Sequence, residues 1–191
     1  MKRAAAAAAN PSTSDALTRP GSMDHFARLG LPPALEIEPA ALDRAYFAQQ
    51  RQWHPDRFVG KPPAERAKAS VEAASVNDAY RTLKDPLSRA FYLATMKSVE
   101  LPGDGKTIDD PDLLMEAMEA REELHEATTS DAIEALAAKV RTDMTNSLAG
   151  LGSLFLANDK PAIRKALLRL RYLDKFAEEA RARRINLERS K

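Results

Sequence analysis

The sequence predicts an all-α protein, and three observations carry that expectation. Glycine is scarce, with 7 in 191 residues, aromatics make up 6%, and alanine and leucine are abundant. Apolar residues recur at three- and four-residue spacing along most of the chain. No stretch shows the strict alternation of a half-buried strand. With 44% hydrophobic residues, 30% charged residues and a mean hydropathy of −0.44, the composition suits a water-exposed chain with one core or two small ones. There is no cysteine, which excludes disulfides, thiolate zinc sites, cysteine-held iron–sulfur clusters and a cysteine nucleophile. The net charge of +1 argues against general nucleic-acid binding, and no apolar run is long enough for a membrane span.

The elements follow in order. Met1–Ser22 is polar, alanine-rich and broken by Pro11 and Pro20, and reads as a disordered extension. Its six alanines, Ala4–Ala9, make a poor signal-peptide core. A transit peptide stays open, since Lys2, Arg3 and Arg19 are basic and Asp15 is the only acid. So does a functional start at Met23, after Gly21-Ser22. Phe26 and Leu29 lie on a short helix stopped by Gly30 and Pro32. Pro39 opens a helix to about Trp53, with Leu42, Tyr46 and Trp53 at helical spacing. Pro55 ends it, because the residue before a proline is driven out of the α region. A polar loop over 56–63 leads to a helix over 64–84, striped by Val76, Ala79, Tyr80 and Leu83, and Asp85-Pro86 stops it. A short helix over 87–96 carries Phe91 and Leu93.

The segment 99–111 reads as a linker, because 101–111 holds two prolines and two glycines. Three helices are expected after it, over 112–126, 130–156 and 159–187. Ser130 would cap the second, and Asn158 or Asp159 the third, with Pro161 in its first turn. The stripe Ile133, Leu136, Val140, Met144, Leu148, Leu151 and Phe155 faces Ile163, Leu167, Leu170, Leu173 and Ala177, as in an antiparallel three-helix bundle. The charge is uneven: 104–126 carries nine acids against two bases, and 158–191 eleven bases against five acids. Either these helices pack together and neutralise each other, or each offers a surface of one sign to a partner.

One constellation carries chemistry. His54-Pro55-Asp56 sits between an amphipathic helix ending in Trp53 and a second one ending Asn77-Asp78-Ala79-Tyr80, with Leu83 and Asp85-Pro86 beyond. Alone, the triplet reads as a turn: Pro55 fixes φ and Asp56 suits an Asx-turn. His54 as a general base oriented by Asp56 would need a pocket, a nucleophile and an oxyanion donor, and the chain offers no convincing set. Across a proline the two side chains should point apart. His25 and His125 stand at no metal-ligand spacing and read as solvated helix residues.

In context the pattern resembles the J-domain family. Gln50-Arg51-Gln52-Trp53-His54-Pro55-Asp56, Pro86-Leu87-Ser88-Arg89-Ala90-Phe91-Tyr92-Leu93, the run Leu113–Leu124 and Arg169-Leu170-Arg171-Tyr172-Leu173-Asp174-Lys175 together resemble HscB, the J-type co-chaperone of iron–sulfur cluster assembly. The resemblance runs from about Met23 to the C-terminus. There is no Gly/Phe-rich linker and no Cys-x-x-Cys repeat as in DnaJ-type proteins. The absence of cysteine matches the bacterial form of the family.

The resemblance implies a J-domain over 23–98 and a scaffold-binding three-helix bundle over 112–191. It implies a cytoplasmic protein, with the mitochondrial matrix as the alternative, that is not an enzyme and needs neither cofactor nor metal. Its partners would be an HscA-type heat-shock chaperone, whose ATPase it stimulates, and the scaffold protein IscU; no nucleic acid and no membrane are expected. His54, Pro55 and Asp56 would carry the trigger, with Asp56 pairing a chaperone arginine. Arg44 and Arg51, seven apart on one helix face, and Arg57 would steer docking, a thinner basic set than a DnaJ-type helix has. Scaffold binding carries over to Leu114, Met115, Met118, Glu119, Arg121, Glu122 and Tyr172.

Periodicity alone says that Leu113, Ala117, Ala120 and Leu124 face the bundle, while Leu114, Met115 and Met118 fall on a second face. That face needs either a second core or a partner. The alternative function is a generic J-domain adaptor for another client.

Overall fold

The computed structural model describes residues 24–103 and 110–189, so the expectation for 1–22 and the part of the 99–111 expectation that falls on 104–109 lie outside the described residues. Among those described there are seven α-helices, one short 3₁₀ turn and no strand. The helices are α1 (His25–Leu29), α2 (Pro39–Trp53), α3 (Pro63–Lys84), α4 (Pro86–Met96), α5 (Pro111–Glu126), α6 (Ser130–Ala157) and α7 (Lys160–Arg189). They divide into two compact units, the second starting at Asp85 and also taking in Ala34–Glu36. The expected loop after His54 starts as a 3₁₀ turn, Pro55–Phe58, because Pro55 at its first position presets φ for a tight turn.

In the N-terminal unit α1 and α2 pack on α3. Asp24 caps α1, accepting from the Ala27 N–H at 2.9 Å, and Gly30 ends it at φ 69°, a left-handed conformation that favours glycine. Phe26, Leu29, Leu42, Ala69, Val76, Ala79 and Leu83 are buried. Above this apolar seam lies a polar clamp. The Tyr46 and Tyr80 rings stack at 4.1 Å. The Tyr46 hydroxyl donates to Asn77 Oδ1 at 3.0 Å, Gln50 Nε2 donates to the same oxygen, and the Tyr80 hydroxyl donates to Asp43 Oδ1 at 2.7 Å. Asn77, Ala79, Tyr80 and Leu83 therefore all serve to hold α3 against α2.

In the C-terminal unit α4, α5 and α6 all pack on α7. The three-helix bundle is as expected, and α4 packs on α7 as well, so the compact units part at Asp85. The physical reason lies in α4 itself, which buries Ala90, Tyr92, Leu93 and Ala94, and in Phe91, whose ring lies 4.8 Å beneath the Arg171 guanidinium. The start of the expected linker is tied down too. Val99 is buried, Arg164 Nε donates to the Glu100 carbonyl at 3.1 Å, and Arg171 Nη1 donates to the Pro102 carbonyl at 2.9 Å. The cap of α6 is Thr129, not Ser130, accepting from the Ala132 N–H at 3.2 Å; Asp159 caps α7, while Asn158 closes α6 at φ 52°.

Helix α7 buries more than the stripe expected of it. Besides Ile163, Leu167, Leu170 and Leu173, it buries Leu168, Tyr172, Phe176 and Ala180 in a cluster with Leu113, Ala117 and Leu124 of α5 and Ile133 and Val140 of α6. The acidic and basic helices neutralise each other in part, while Glu119 and Glu122 stay exposed. Lys165 meets Asp110 at 3.0 Å, Arg169 holds Glu116 at 2.7 Å, and Arg121 of α5 holds Glu179 of α7 at 3.1 Å.

His25 is buried rather than solvated, and burial lowers its pKa below the usual 6.5, with nearby Arg28 acting the same way against Asp78 and Asp24. The unfolded chain then takes up a proton that the folded chain resists. Stability therefore falls as pH drops below about 6.5 and stops falling once the folded imidazole protonates. Urea unfolding midpoints compared between about pH 7.5 and 5.5 should fall more for the wild type than for His25→Gln; equal slopes would overturn this. In the other unit, Leu170→Ala should lower unfolding free energy by about 2–5 kcal/mol, measured by the same urea titration.

Candidate functional site

Two exposed regions, one in each unit, gather the residues singled out by sequence. The first is the tip of the α2–α3 hairpin. His54 leaves the helix at φ −60° and ψ 130°, as a residue before proline must. His54, Pro55 and Asp56 are all exposed. The His54 and Asp56 side chains turn toward each other, contrary to expectation: the Asp56 N–H donates to Nδ1 at 3.3 Å and Oδ2 lies 3.5 Å from the same nitrogen.

The tip is braced from below. The Trp53 and Phe58 rings lie parallel, 6.2 Å apart, and Lys68 Nζ stands 5.9 Å from the Trp53 ring centre. Arg57 Nη1 donates to the Arg51 carbonyl at 2.8 Å, closing an orphan acceptor at the end of α2. Along the outer face of α2, Arg44, Phe47, Gln50 and Arg51 line an open concavity of about 830 Å³ with His54 and Arg57. Arg44 also pairs with Glu38 at 3.2 Å, both exposed. Phe47 and Gln50 are the residues that sequence reasoning missed here. The available signal was the spacing of Phe47, three after Arg44 and four before Arg51, off the stripe of Leu42, Tyr46 and Trp53.

The second region is the outer face of α5. Leu114, Met115 and Met118 are 38%, 64% and 64% exposed, while Leu113, Ala117 and Leu124 are buried beneath. Glu119, Arg121 and Glu122 are exposed beside them. Asp110 caps the helix, accepting from Asp112 N–H at 3.1 Å and Leu113 N–H at 3.2 Å. The Lys165 ammonium, then these N–H groups, hold its carboxyl below the usual carboxylate range. Arg121 is not a free cation: Nε and Nη2 hold both Glu179 oxygens at 3.2 and 3.1 Å. Among the described residues, no group of three or more His, Cys, Asp or Glu is placed to hold a metal ion, and no helix is long and apolar enough to cross a membrane.

With this geometry in view, residues 109–181 match the family model described as the HSCB C-terminal oligomerisation domain. The chain is 37% identical over 167 residues to the co-chaperone protein HscB homolog of Burkholderia multivorans, covering 86% of this chain and 95% of that protein. It is 40% identical over 159 residues to the homolog of Cupriavidus taiwanensis, covering 82% and 90%. The chain belongs to the HscB family of J-domain co-chaperones. The fold agrees. The structure of the chaperone HscB from Vibrio cholerae superposes with a TM-score of 0.75 at 33% identity, over 86% of this chain and 99% of that one. Human co-chaperone protein HscB superposes with a TM-score of 0.80 at 27% identity, over 88% and 85%. These relatives are named as chaperones or co-chaperones.

One residue carried over from the HscB pattern sits differently from the rest. Tyr172 is only 5% exposed and packs against Phe176 at 6.3 Å in the bundle core. It lines a small groove of about 100 Å³ together with Glu116, Glu119, Glu123, Ala120 and Val140. Burial first, and the Glu116 charge second, push its phenol up to about 12. At about pH 11, with the helices intact by circular dichroism, Tyr172→Phe should show the same phenolate absorbance as the wild type. A loss of one tyrosine's share, of the 4 present, would overturn this. A second test concerns the tip. Arg57→Ala should raise amide exchange in the last turn of α2 roughly two- to tenfold, read by hydrogen–deuterium exchange, because the Arg51 carbonyl loses its donor.

Proposed function

We propose that this chain is a cytoplasmic co-chaperone of iron–sulfur protein maturation that brings a scaffold protein of the IscU kind to an HscA-type heat-shock chaperone and stimulates that chaperone's ATPase. The observation that carries the reading is the exposed His54-Pro55-Asp56 tip, braced by Trp53 and Phe58 and continuous with three guanidinium groups. A carboxylate held in water at a rigid tip suits a charge-assisted hydrogen bond to a chaperone arginine. Arg44, Arg51 and Arg57 suit an acidic surface, which they would steer to.

The scaffold reading rests on Leu114, Met115 and Met118. Three large apolar side chains on one exposed helix face suit a partner, and methionine adapts to irregular surfaces. Glu119 and Glu122 would form the charged rim. Arg121 would act by holding α5 to α7 through Glu179, and Tyr172 by shaping the groove floor. Carrying both partners on one chain raises the effective concentration of scaffold at the chaperone. The chemistry would belong to the chaperone; this chain would need no metal, nucleotide or catalytic group of its own.

Steady-state ATP hydrolysis by the HscA-type chaperone, with and without IscU, tests both assignments. His54→Gln should abolish stimulation in either condition. Replacing Leu114, Met115 and Met118 together by alanine should weaken scaffold binding by about a hundredfold and remove only the scaffold-dependent increment. Stimulation by His54→Gln at the wild-type level would sink the trigger assignment. Undiminished synergy in the triple variant would leave a J-domain adaptor for a different client.

A further inference from the structure

Among the described residues Phe47 is the only aromatic side chain left exposed rather than buried or half-buried, at 58%. Its only ring neighbour is Tyr46, tilted at 5.4 Å, so it contributes little to the core seam between α2 and α3. It lies among Arg44, Gln50, Arg51, His54 and Arg57, a lining with three guanidinium groups, of which Arg44 also pairs with Glu38 just outside it. Aromatic and arginine side chains are the pair most enriched where protein interfaces hold most tightly, with the aromatic at the centre and the charges around it.

Resting on the reading that the His54 face docks on a chaperone, we propose that Phe47 is the apolar anchor of that docking and sets its affinity. The occupant is an acidic protein surface that offers an apolar side chain or pocket to the Phe47 ring and carboxylates to Arg44, Arg51 and Arg57. Charge complementarity and continuity with His54 specify that chemistry. A nucleic-acid occupant is disfavoured, because single strands are held by several successive aromatics and this face exposes one, on a chain of net charge +1. The anchor also explains how a thin basic set can suffice. Exposed ion pairs weaken as salt rises, whereas contact between apolar groups does not.

The concentration of this protein that half-saturates stimulation of the HscA-type ATPase reads the effect, at low and at physiological salt. Phe47→Ala should raise it about tenfold at both salt concentrations, with the stimulated ceiling still reached because His54 and Asp56 are untouched. Phe47→Leu should stay near wild type. Phe47→Lys should be as weak as Phe47→Ala despite its added positive charge. Arg51→Ala should weaken docking mainly at low salt. Unchanged melting temperatures would show that the variants fold.

The inference falls if Phe47→Ala stays within about twofold of wild type, or if Phe47→Lys docks as tightly as wild type, while His54→Gln still abolishes stimulation. It also falls if Phe47→Ala loses binding to a single-stranded oligonucleotide but not to the chaperone. If His54→Gln stimulates normally, the docking reading itself fails.

Discussion

Helix α7 must cover two apolar faces at once, and most of the C-terminal unit follows from that. One stripe, Ile163, Leu167 and Leu170, is fully buried, and the other, Leu168, Tyr172, Phe176 and Ala180, joins residues of α5 and α6 in a single cluster. A helix apolar on two sides cannot stand at the edge of a bundle. It becomes the element against which α4, α5 and α6 are laid. Two of its basic residues, Lys165 and Arg169, then fall beside the acids Asp110 and Glu116, and its Glu179 meets Arg121 of α5. Exposed pairs of this kind contribute little to stability. Their use is registration, since a slide of α5 along α7 would separate Asp110, Glu116 and Arg121 from their partners together.

The outward face of α5 is a consequence of the same constraint. Leu113, Ala117 and Leu124 are needed at the α7 seam, so a 3.6-residue period turns Leu114, Met115 and Met118 into solvent. A helix with this sequence has more apolar surface than one bundle can cover. The surplus is what makes the face a candidate for a partner. Tyr172 belongs to the other side of that division, in the core, where its hydroxyl lies near carboxylates and its ionisation is suppressed.

The N-terminal unit obeys a different local rule. Pro55 expels His54 from the helix, and the 3₁₀ turn that follows reverses the chain before α3 begins. Tyr46, Asn77, Tyr80 and Asp43 then lock α3 to α2. The polar tip is thereby held in water on a stiff support, with Phe47 and three arginines beside it. Polar groups that could have bonded elsewhere are engaged in bracing, as when Arg57 turns back to the Arg51 carbonyl.

The sequence by itself determined the helices, because their start and stop residues act locally: Pro39, Pro55, Pro86 and Asp159 work through φ and through the first free N–H groups of each helix. It also determined which α5 residues lie off the core stripe, because a stripe can be read from spacing alone. Which unit α4 joins, that Phe47 stays uncovered, that His25 is buried, and that Arg121 and Tyr172 are engaged inside the bundle were decided only by tertiary packing. Spacing says that a residue lies on a face. Whether that face is covered depends on helices distant in sequence, and the second apolar stripe of α7, hidden among its charges, is what draws those helices in.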